Sequence, residues 1–211
     1  NNLENLISDA KNSKTNELIK VKKLINDCKI NGTLPFAHAA RNGFISTILL
    51  KSFVDQKIIS QERYDDFFES VKTITSEFEY DLIETKSSKQ MKNIISKYGH
   101  LRPGTYEITS DPYWKNPDKY LTTSLKAEKT EKKFTFTEKE KAGISKIINN
   151  LDKSINFNDF KKYLITSIQE RERVKFEFTK SISLSLDLIE NCGKKVNIGI
   201  NDIKYLKYEN L

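Results

Sequence analysis

The 211-residue chain carries 36 Lys and Arg residues against 29 Asp and Glu residues, which leaves a formal net charge of +7. Hydrophobic residues make up 37% and charged residues 31%, with only seven glycines and four prolines. This composition argues against a disordered chain and against a turn-rich all-β fold. No apolar run is long enough to span a membrane and no signal-peptide pattern opens the chain, so a cytoplasmic protein without membrane contact is predicted.

The excess of basic residues does not by itself predict nucleic-acid binding, because acidic residues are interspersed with the basic ones throughout the chain. Cys28 and Cys192 are far apart and form no paired-cysteine motif, and two histidines are too few for a zinc site. Both cysteines are expected to be reduced thiols in helices, with no metal bound. The only methionine is Met91, so we expect the chain to be a piece of a longer protein.

The first part of the chain has helical hydrophobic spacing. A helix is predicted over Glu4–Ile30, with an interruption near Asn12-Ser13 and a stop at Asn31-Gly32. Thr33 is the expected N-cap of the next helix, with Pro35 in its first turn.

The middle of the chain predicts two further helices and an irregular segment. Ser60 begins a helix whose apolar residues recur every three or four positions as far as Leu82. A shorter helix over Ser88–Lys97 ends at Gly99. The two prolines and clustered aromatic residues of Thr109–Tyr120 indicate an ordered segment without regular structure.

The last part of the chain predicts a linker and a long helix. Residues 126–136 have the lowest complexity and are a candidate linker. Thr137-Glu138-Lys139-Glu140 has the form of a capping box and opens a helix to about Leu151. Another helix starts at Asn156 and is expected to end at Cys192-Gly193, with Gly193 at the C′ position, before a short helical turn over Ile200–Leu206.

These elements predict an all-α fold: an irregular multi-helix domain with one long C-terminal helix and an ordered loop containing glycine and proline. The expected organisation is a helical region over residues 1–125 that contains the loop KYGHLRPGTYEI, a possible linker over 126–136 and a C-terminal helical region over 137–211 that packs on the first.

The loop Lys97–Ile108 (KYGHLRPGTYEI) concentrates residues that carry chemistry. It holds one of the two histidines, and His100 and Arg102 alternate ahead of a Pro103-Gly104 turn. His38 and Arg41, three residues apart on a predicted helix, share a face. Histidine and arginine supply hydrogen-bond donors, and small and turn-forming residues let the backbone approach closely, so these segments are suited to binding an anion. The alternative stays open that His100 is a hydrogen-bonded structural residue and that Arg102 ties down a helix end.

The loop Lys97–Ile108 resembles the signature of the central region in phosphoenolpyruvate-synthase-like, phosphohistidine-swivelling phosphotransferases. Gly32–Leu50 and Lys175–Leu206 match the same pattern, so the resemblance spans most of the chain. Related rifampin phosphotransferases have a similar histidine-containing turn, but here Leu101 precedes the arginine, so the acceptor need not be the same.

The resemblance implies a relay of phosphoryl groups between domains. In that family an ATP-grasp domain phosphorylates a histidine on a small mobile domain, which swings to an acceptor site in the central region. This chain has neither the ATP-grasp glycine-rich loop nor the Thr-x-x-His motif of the swivelling domain. It therefore resembles the acceptor region alone, a fragment expected to be inactive in isolation, and ATP and Mg²⁺ are expected at the nucleotide-binding domain of the same full-length chain.

The resemblance also implies roles for individual residues. Arg102 and Arg41 would contact phosphoryl oxygens or an acceptor carboxylate, and His100 would act as a general acid/base or a donor. Glu107 and Glu77 are alternative bases. The side chains expected to orient the acceptor are Thr33, His38, Thr105 and Tyr106. The acceptor is a small molecule, and the specific expectation is the side-chain amide of L-glutamine, phosphorylated for capsule phosphoramidate.

Two other hypotheses remain at this point. In the first, the chain is a non-catalytic helical scaffold or interaction domain, and Arg102 is expected to be buried against helix carbonyls. Alternatively it is a basic helical nucleic-acid binder, for which a steep dependence of binding on salt is expected.

Overall fold

The computed structural model describes residues 2–121 and 133–207, and within those ranges it contains helices and no β-strand. This confirms the all-α prediction, including the long C-terminal helix. Residues 126–132 of the predicted linker lie outside the described residues, and residues 133–137 have no regular secondary structure. No described helix combines the length and the apolar character needed to cross a bilayer.

The helical elements run in chain order as follows: α1 (Asn2–Asn12), α2 (Glu17–Cys28), a π-helical turn (Lys29–Thr33), α3 (Leu34–Asp55), α4 (Gln61–Ser70), α5 (Ile74–Ile83), α6 (Ser88–Tyr98), α7 (Pro117–Tyr120), α8 (Glu138–Leu151), α9 (Phe157–Lys195) and α10 (Ile200–Ile203).

The predicted interruption after Asn12 is confirmed, but the predicted stop at Asn31-Gly32 is wrong. The backbone continues through the π-helical turn into α3. Thr33 is not an N-cap, because its hydroxyl donates to the Lys29 carbonyl at 2.9 Å. Gly32 is buried, and a Cβ placed on it would lie 2.6 Å from the Cβ of Phe178. Glycine at this position therefore permits close packing against α9 and does not end a helix.

The cysteine of the same region is also buried against α9. Cys28 is 1% exposed, and its Sγ lies 3.7 Å from the Phe178 carbonyl oxygen.

The single helix predicted from Ser60 to Leu82 is two helices, α4 and α5. The N-cap is confirmed, since the Ser60 hydroxyl accepts from the Arg63 amide at 3.2 Å. The break follows from Thr73, whose amide donates to Ser76 Oγ at 2.9 Å while the Ser76 amide donates to Thr73 Oγ1 at 3.4 Å. This reciprocal pair starts a new helix in spite of the continuous apolar spacing.

The capping box of α8 is confirmed, and the predicted end of α9 is wrong. The side chains and backbone amides of Thr137 and Glu140 are reciprocally bonded at the start of α8. Helix α9 runs 39 residues to Lys195, so Gly193 lies inside it. Gly193 is buried beside Ile203, where a Cβ would collide, and the left-handed residue that follows the helix is Asn197, with φ of 59°.

The chain divides into two compact units. Unit 1 consists of Asn1–Pro35, Phe78–Lys126 and Val174–Leu211, and unit 2 of Phe36–Glu77 and Ala127–Arg173. This division does not follow the sequence order of the predicted regions, because each unit takes segments from both halves of the chain.

Each unit has its own buried apolar cluster. In unit 1 the cluster joins α2, the loop after α6, α9 and α10 through Val21, Ile108, Ile189 and Ile203. In unit 2 it joins α3, α4, α8 and α9 with the segment before α8, and its members are Leu50, Phe53, Ile59, Phe67, Val71, Phe136, Ile144, Ile148 and Leu164.

Candidate functional site

The residues predicted to form a site are divided between the two units, so each group is described within its own unit. Unit 1 contains the loop residues with Thr33: Thr33, His100, Arg102, Thr105, Tyr106 and Glu107. Unit 2 contains the other three: His38, Arg41 and Glu77.

Arg102 joins the loop to helix α9. Its side chain is 2% exposed, and its Nη2 donates to Asp187 Oδ1 at 2.7 Å and to the Ser183 carbonyl at 3.1 Å. Its Nε donates to Ser183 Oγ at 3.0 Å, and its Nη1 to the Ser110 carbonyl at 2.5 Å. Four of the five guanidinium N–H groups thus bind the protein itself. Arg102 therefore holds the loop both to α9 and to Ser110, two residues beyond the end of the loop.

His100 is buried beside the same helix. It is 6% exposed, its Nε2 lies 3.2 Å from the Phe176 carbonyl oxygen, and its ring meets the Phe176 ring edge-on at 4.7 Å. Because a carbonyl only accepts, Nε2 carries the proton. Burial lowers the pKa of His100 to about 4, and the positive charge of Lys180 acts in the same direction. The imidazole is therefore neutral near pH 7 and bound to the backbone.

The residues before His100 anchor the end of α6. The fully buried Tyr98 donates its hydroxyl to Asp81 Oδ2 at 2.6 Å, and Lys97 Nζ donates to the same oxygen at 2.9 Å. Burial raises the pKa of Tyr98 to about 12, and the hydrogen bond to Asp81 adds to this effect. For Asp81, burial acts to raise the pKa, but the two donors outweigh it and the net shift is downward.

A chain of ion pairs continues from Arg102 along α9. Asp187 also binds Lys115 Nζ at 3.2 Å, Lys115 pairs with Glu190, and Glu190 binds Lys194 Nζ at 2.7 Å. Cations and carboxylates alternate along this chain, so each cation lies beside a carboxylate. An incoming anion would have to compete with Asp187 and Glu190 for these cations.

The tip of the loop is the part that faces solvent. Tyr106 is 61% exposed, Glu107 is exposed and Thr105 is partly exposed. The turn beneath them is held by the Gly104 amide, which donates to Ser110 Oγ at 2.9 Å, and by a bond from the Glu107 amide to the Gly104 carbonyl at 3.0 Å. The loop therefore presents three polar side chains on a rigid base.

The other predicted residues lie on helix surfaces. Thr33 is exposed, with its hydroxyl bound to the Lys29 carbonyl. In unit 2, His38 and Arg41 are exposed on α3, and Glu77 pairs with Arg173 at 3.8 Å.

Two open cavities lie at residues that the sequence patterns did not predict as site residues. In unit 1, a cavity of about 450 Å³ is lined by the start of α2 and the end of α9, including Lys14, Asn16, Glu17, Cys192 and Lys195. In unit 2, a groove of about 470 Å³ between α3 and α9 is lined by Ala39, Asn42, Asp159, Lys162, Tyr163, Thr166, Ser167 and Glu170. Neither contains a predicted site residue. Asn16 has the form of a helix cap, and the remaining lining residues carry no motif.

Comparison of the chain with protein-family models, curated proteins and solved structures finds no match. Within residues 2–121 and 133–207 no group of three or more His, Cys, Asp or Glu side chains is arranged to hold a metal ion.

Proposed function

We propose that this chain is the acceptor-binding region of a phosphotransferase that receives a phosphoryl group from a phosphohistidine carried on another domain. The proposal rests on the sequence resemblance, and one observation supports it: parts of all three resembling stretches meet on α9 in unit 1. Gly32 packs against Phe178, and His100 and Arg102 of the loop bind the α9 segment 176–187. Residues from three stretches that are far apart in sequence thus pack together within unit 1.

The chemistry required of such a region is alignment of the acceptor. The P–N bond to the donor imidazole breaks as a bond forms to the acceptor nitrogen, and the proton lost from that nitrogen passes through a base to the imidazole. For an L-glutamine kinase the acceptor nitrogen is the side-chain amide. The exposed Glu107 carboxylate is the base available at the loop tip, with Thr105 and Tyr106 beside it to orient the acceptor. ATP and Mg²⁺ would act at the ATP-grasp domain.

The buried contacts of His100 and Arg102 support a positioning role for both residues. They hold the loop against α9 so that its tip keeps one conformation. Direct contact of either side chain with the phosphoryl group would require these bonds to be exchanged on binding.

The test separates the two half-reactions in the intact enzyme. Glu107→Gln is expected to leave ATP-dependent phosphorylation of the swivelling histidine unchanged and to slow transfer to L-glutamine by about 100-fold or more, as loss of a general base typically does. The matched control is Glu62→Gln on the exposed face of α4, which should affect neither step. Loss of the first half-reaction, or normal transfer by Glu107→Gln, would contradict the assignment.

A second candidate function is a non-catalytic helical scaffold, and the hydrogen bonds of Arg102 within the protein favour it. A guanidinium that donates four hydrogen bonds to three residues of the protein is what a structural loop requires. Arg102→Lys keeps the charge but loses the forked geometry, so it should lower the stability under either function. Thermal melting with L-glutamine distinguishes them: a ligand of the native state raises the melting temperature, whereas a scaffold shows no shift with any amino acid.

A further inference from the structure

The outer face of helix α3 in unit 2 is more apolar than the solvent-facing side of a helix usually is. The residues that α3 buries are Gly43, Ser46, Leu50 and Phe53. On the opposite side Phe44 is 55% exposed, Ile45 47% and Ile48 66%. Surface helices of globular proteins are usually polar on this side. We call the outward-facing set Ala37, His38, Arg41, Phe44, Ile45, Ile48 and Lys51 the α3 face.

The shape of the α3 face suits another helix. Ile48 follows Phe44 by four residues and Ile45 by three, so the three side chains form one continuous apolar surface over about one helical turn. Two turns before Phe44 the face carries Ala37, whose small side chain lets a neighbouring backbone approach closely. Exposed apolar patches of this kind mark sites of interaction.

The charge of the α3 face indicates the chemistry of the partner. Its charged residues are Arg41 and Lys51, and the single acidic residue of α3 is Asp55 at the last position. Within the described ranges neither cation has an ion-pair partner. Apolar side chains flanked by unpaired cations are complementary to an apolar stripe flanked by carboxylates.

The same charges disfavour a second copy of this chain. A twofold axis opposite the centre of the apolar patch would set Arg41 against Lys51 of the second copy, and a parallel pairing would set each cation against its own equivalent. Like charges opposed across an interface are destabilising. An anionic lipid surface is also a poor match, because lipid-binding segments typically carry about 4–8 clustered basic residues. This face carries two, and Arg171 of α9 adds a third beside it, 5.0 Å from the centroid of the Phe44 ring.

We propose that the α3 face is the docking site for an acidic amphipathic helix of a partner domain or protein, a helix with apolar residues on one side and glutamate or aspartate on its flanks. The inference does not rest on the proposed function, since it uses no residue of the loop.

The experiment uses two synthetic helical peptides of about 20 residues, long enough to form a helix. They share one leucine stripe and differ in having glutamate or lysine at every flanking position. The acidic peptide is expected to bind the chain saturably and with 1:1 stoichiometry, more tightly than the basic one. Ile48→Glu should weaken this binding by about tenfold or more. The matched control is Ile19→Glu, which alters a side chain 59% exposed on α2 in unit 1 and should leave binding unchanged.

A charge reversal makes the test independent of any loss of stability. Arg41→Glu with Lys51→Glu is expected to invert the preference, so that the lysine-flanked peptide binds more tightly. Equal binding of both peptides, or an equal loss in Ile19→Glu, would overturn the proposal. It would also be overturned by a dimer that Ile48→Glu dissociates in analytical ultracentrifugation, or by phosphatidylserine vesicles that bind the chain in place of the acidic peptide.

Discussion

The two histidines of the chain occupy opposite environments. His100 is 6% exposed and binds a backbone carbonyl, whereas His38 is exposed on α3. Protonation of the buried His100 ring would place a positive charge where water cannot hydrate it, so burial disfavours its charged form. This contrast makes His100 a source of pH-dependent stability and His38 its natural control.

The free energy of unfolding is expected to fall as the pH is lowered from about 6.5 to about 4. The unfolded chain binds a proton on His100 near its ordinary pKa of 6.5, while the folded chain resists protonation until about pH 4. The unfolded state therefore holds more protons in this window, and stability rises with pH across it. The full decrease in the free energy of unfolding is about 3 kcal/mol, because each unit of difference in pKa corresponds to about 1.4 kcal/mol.

Urea titrations at a series of pH values measure this effect. His100→Asn should flatten the pH dependence above about pH 4.5, below which carboxylates with lowered pKa values, such as Glu140 and Glu190, begin to contribute. His38→Asn should retain it. A slope between pH 4.5 and 6.5 that survives in His100→Asn would refute the buried, neutral assignment.

At the scale of elements, the junction of α2, the π-helical turn and α3 depends on one glycine. Gly32→Ala is expected to destabilise the fold by about 1–3 kcal/mol, the usual cost of overpacking, because the added Cβ would lie 2.6 Å from the Phe178 Cβ. Chemical denaturation checks this value.

The control is Gly199→Ala, where the nearest atom to an added Cβ is Asp202 Oδ2 at 3.5 Å. Its change in stability should stay below about 1 kcal/mol, the typical size of an N-cap substitution. Equal effects of the two substitutions would mean that Gly32 is not a packing position.

Local signals predicted the starts of α4 and α8 correctly, but not that of α3, where Thr33 is no N-cap. The hydroxyl of Ser60 and the Thr137–Glu140 box act on amides within three residues, so the sequence around them contains the whole interaction. The stops at Gly32 and Gly193 were wrong because the reason for each glycine is a distant partner, Phe178 or Ile203. Local sequence cannot distinguish a glycine that ends a helix from one that admits a neighbouring side chain.

The same limit applied to the loop. Its composition singled out His100 and Arg102 as residues that carry interactions, but their partners on α9 lie 76 to 85 positions further along the chain. Burial of these side chains arises from tertiary packing, and no pattern within Lys97–Ile108 encodes it. The residues of the two cavities escaped prediction for a related reason, since they converge only after folding.

At the scale of the whole molecule, α9 supplies buried residues to two cores: Leu164 to the cluster of unit 2 and Ile189 to that of unit 1. Because one continuous helix contributes buried residues to both cores, we expect the two units to unfold together. Trp114, the only tryptophan, lies in unit 1 and reports on that unit by fluorescence, while circular dichroism reports on all helices.

Phe67→Ala removes a ring that is 1% exposed in the core of unit 2, which typically costs about 3–5 kcal/mol. The fluorescence and dichroism transitions are expected to move together to lower denaturant, as in a two-state transition. The control Ile48→Ala, on a side chain 66% exposed, should move neither by more than about 0.5 kcal/mol. An early dichroism transition with unchanged Trp114 fluorescence would mean that the units unfold independently.

The burial of Cys28 makes the labelling of its thiol a measure of local opening. Burial raises the pKa of this thiol to about 11, and only a thiolate exposed to solvent attacks a disulfide reagent. In a Cys192→Ser background, every labelling event on Cys28 must follow a separation of α2 from Phe178. When labelling is faster than reclosing, the labelling rate would equal the rate at which this contact opens, a local event that a denaturation curve does not report.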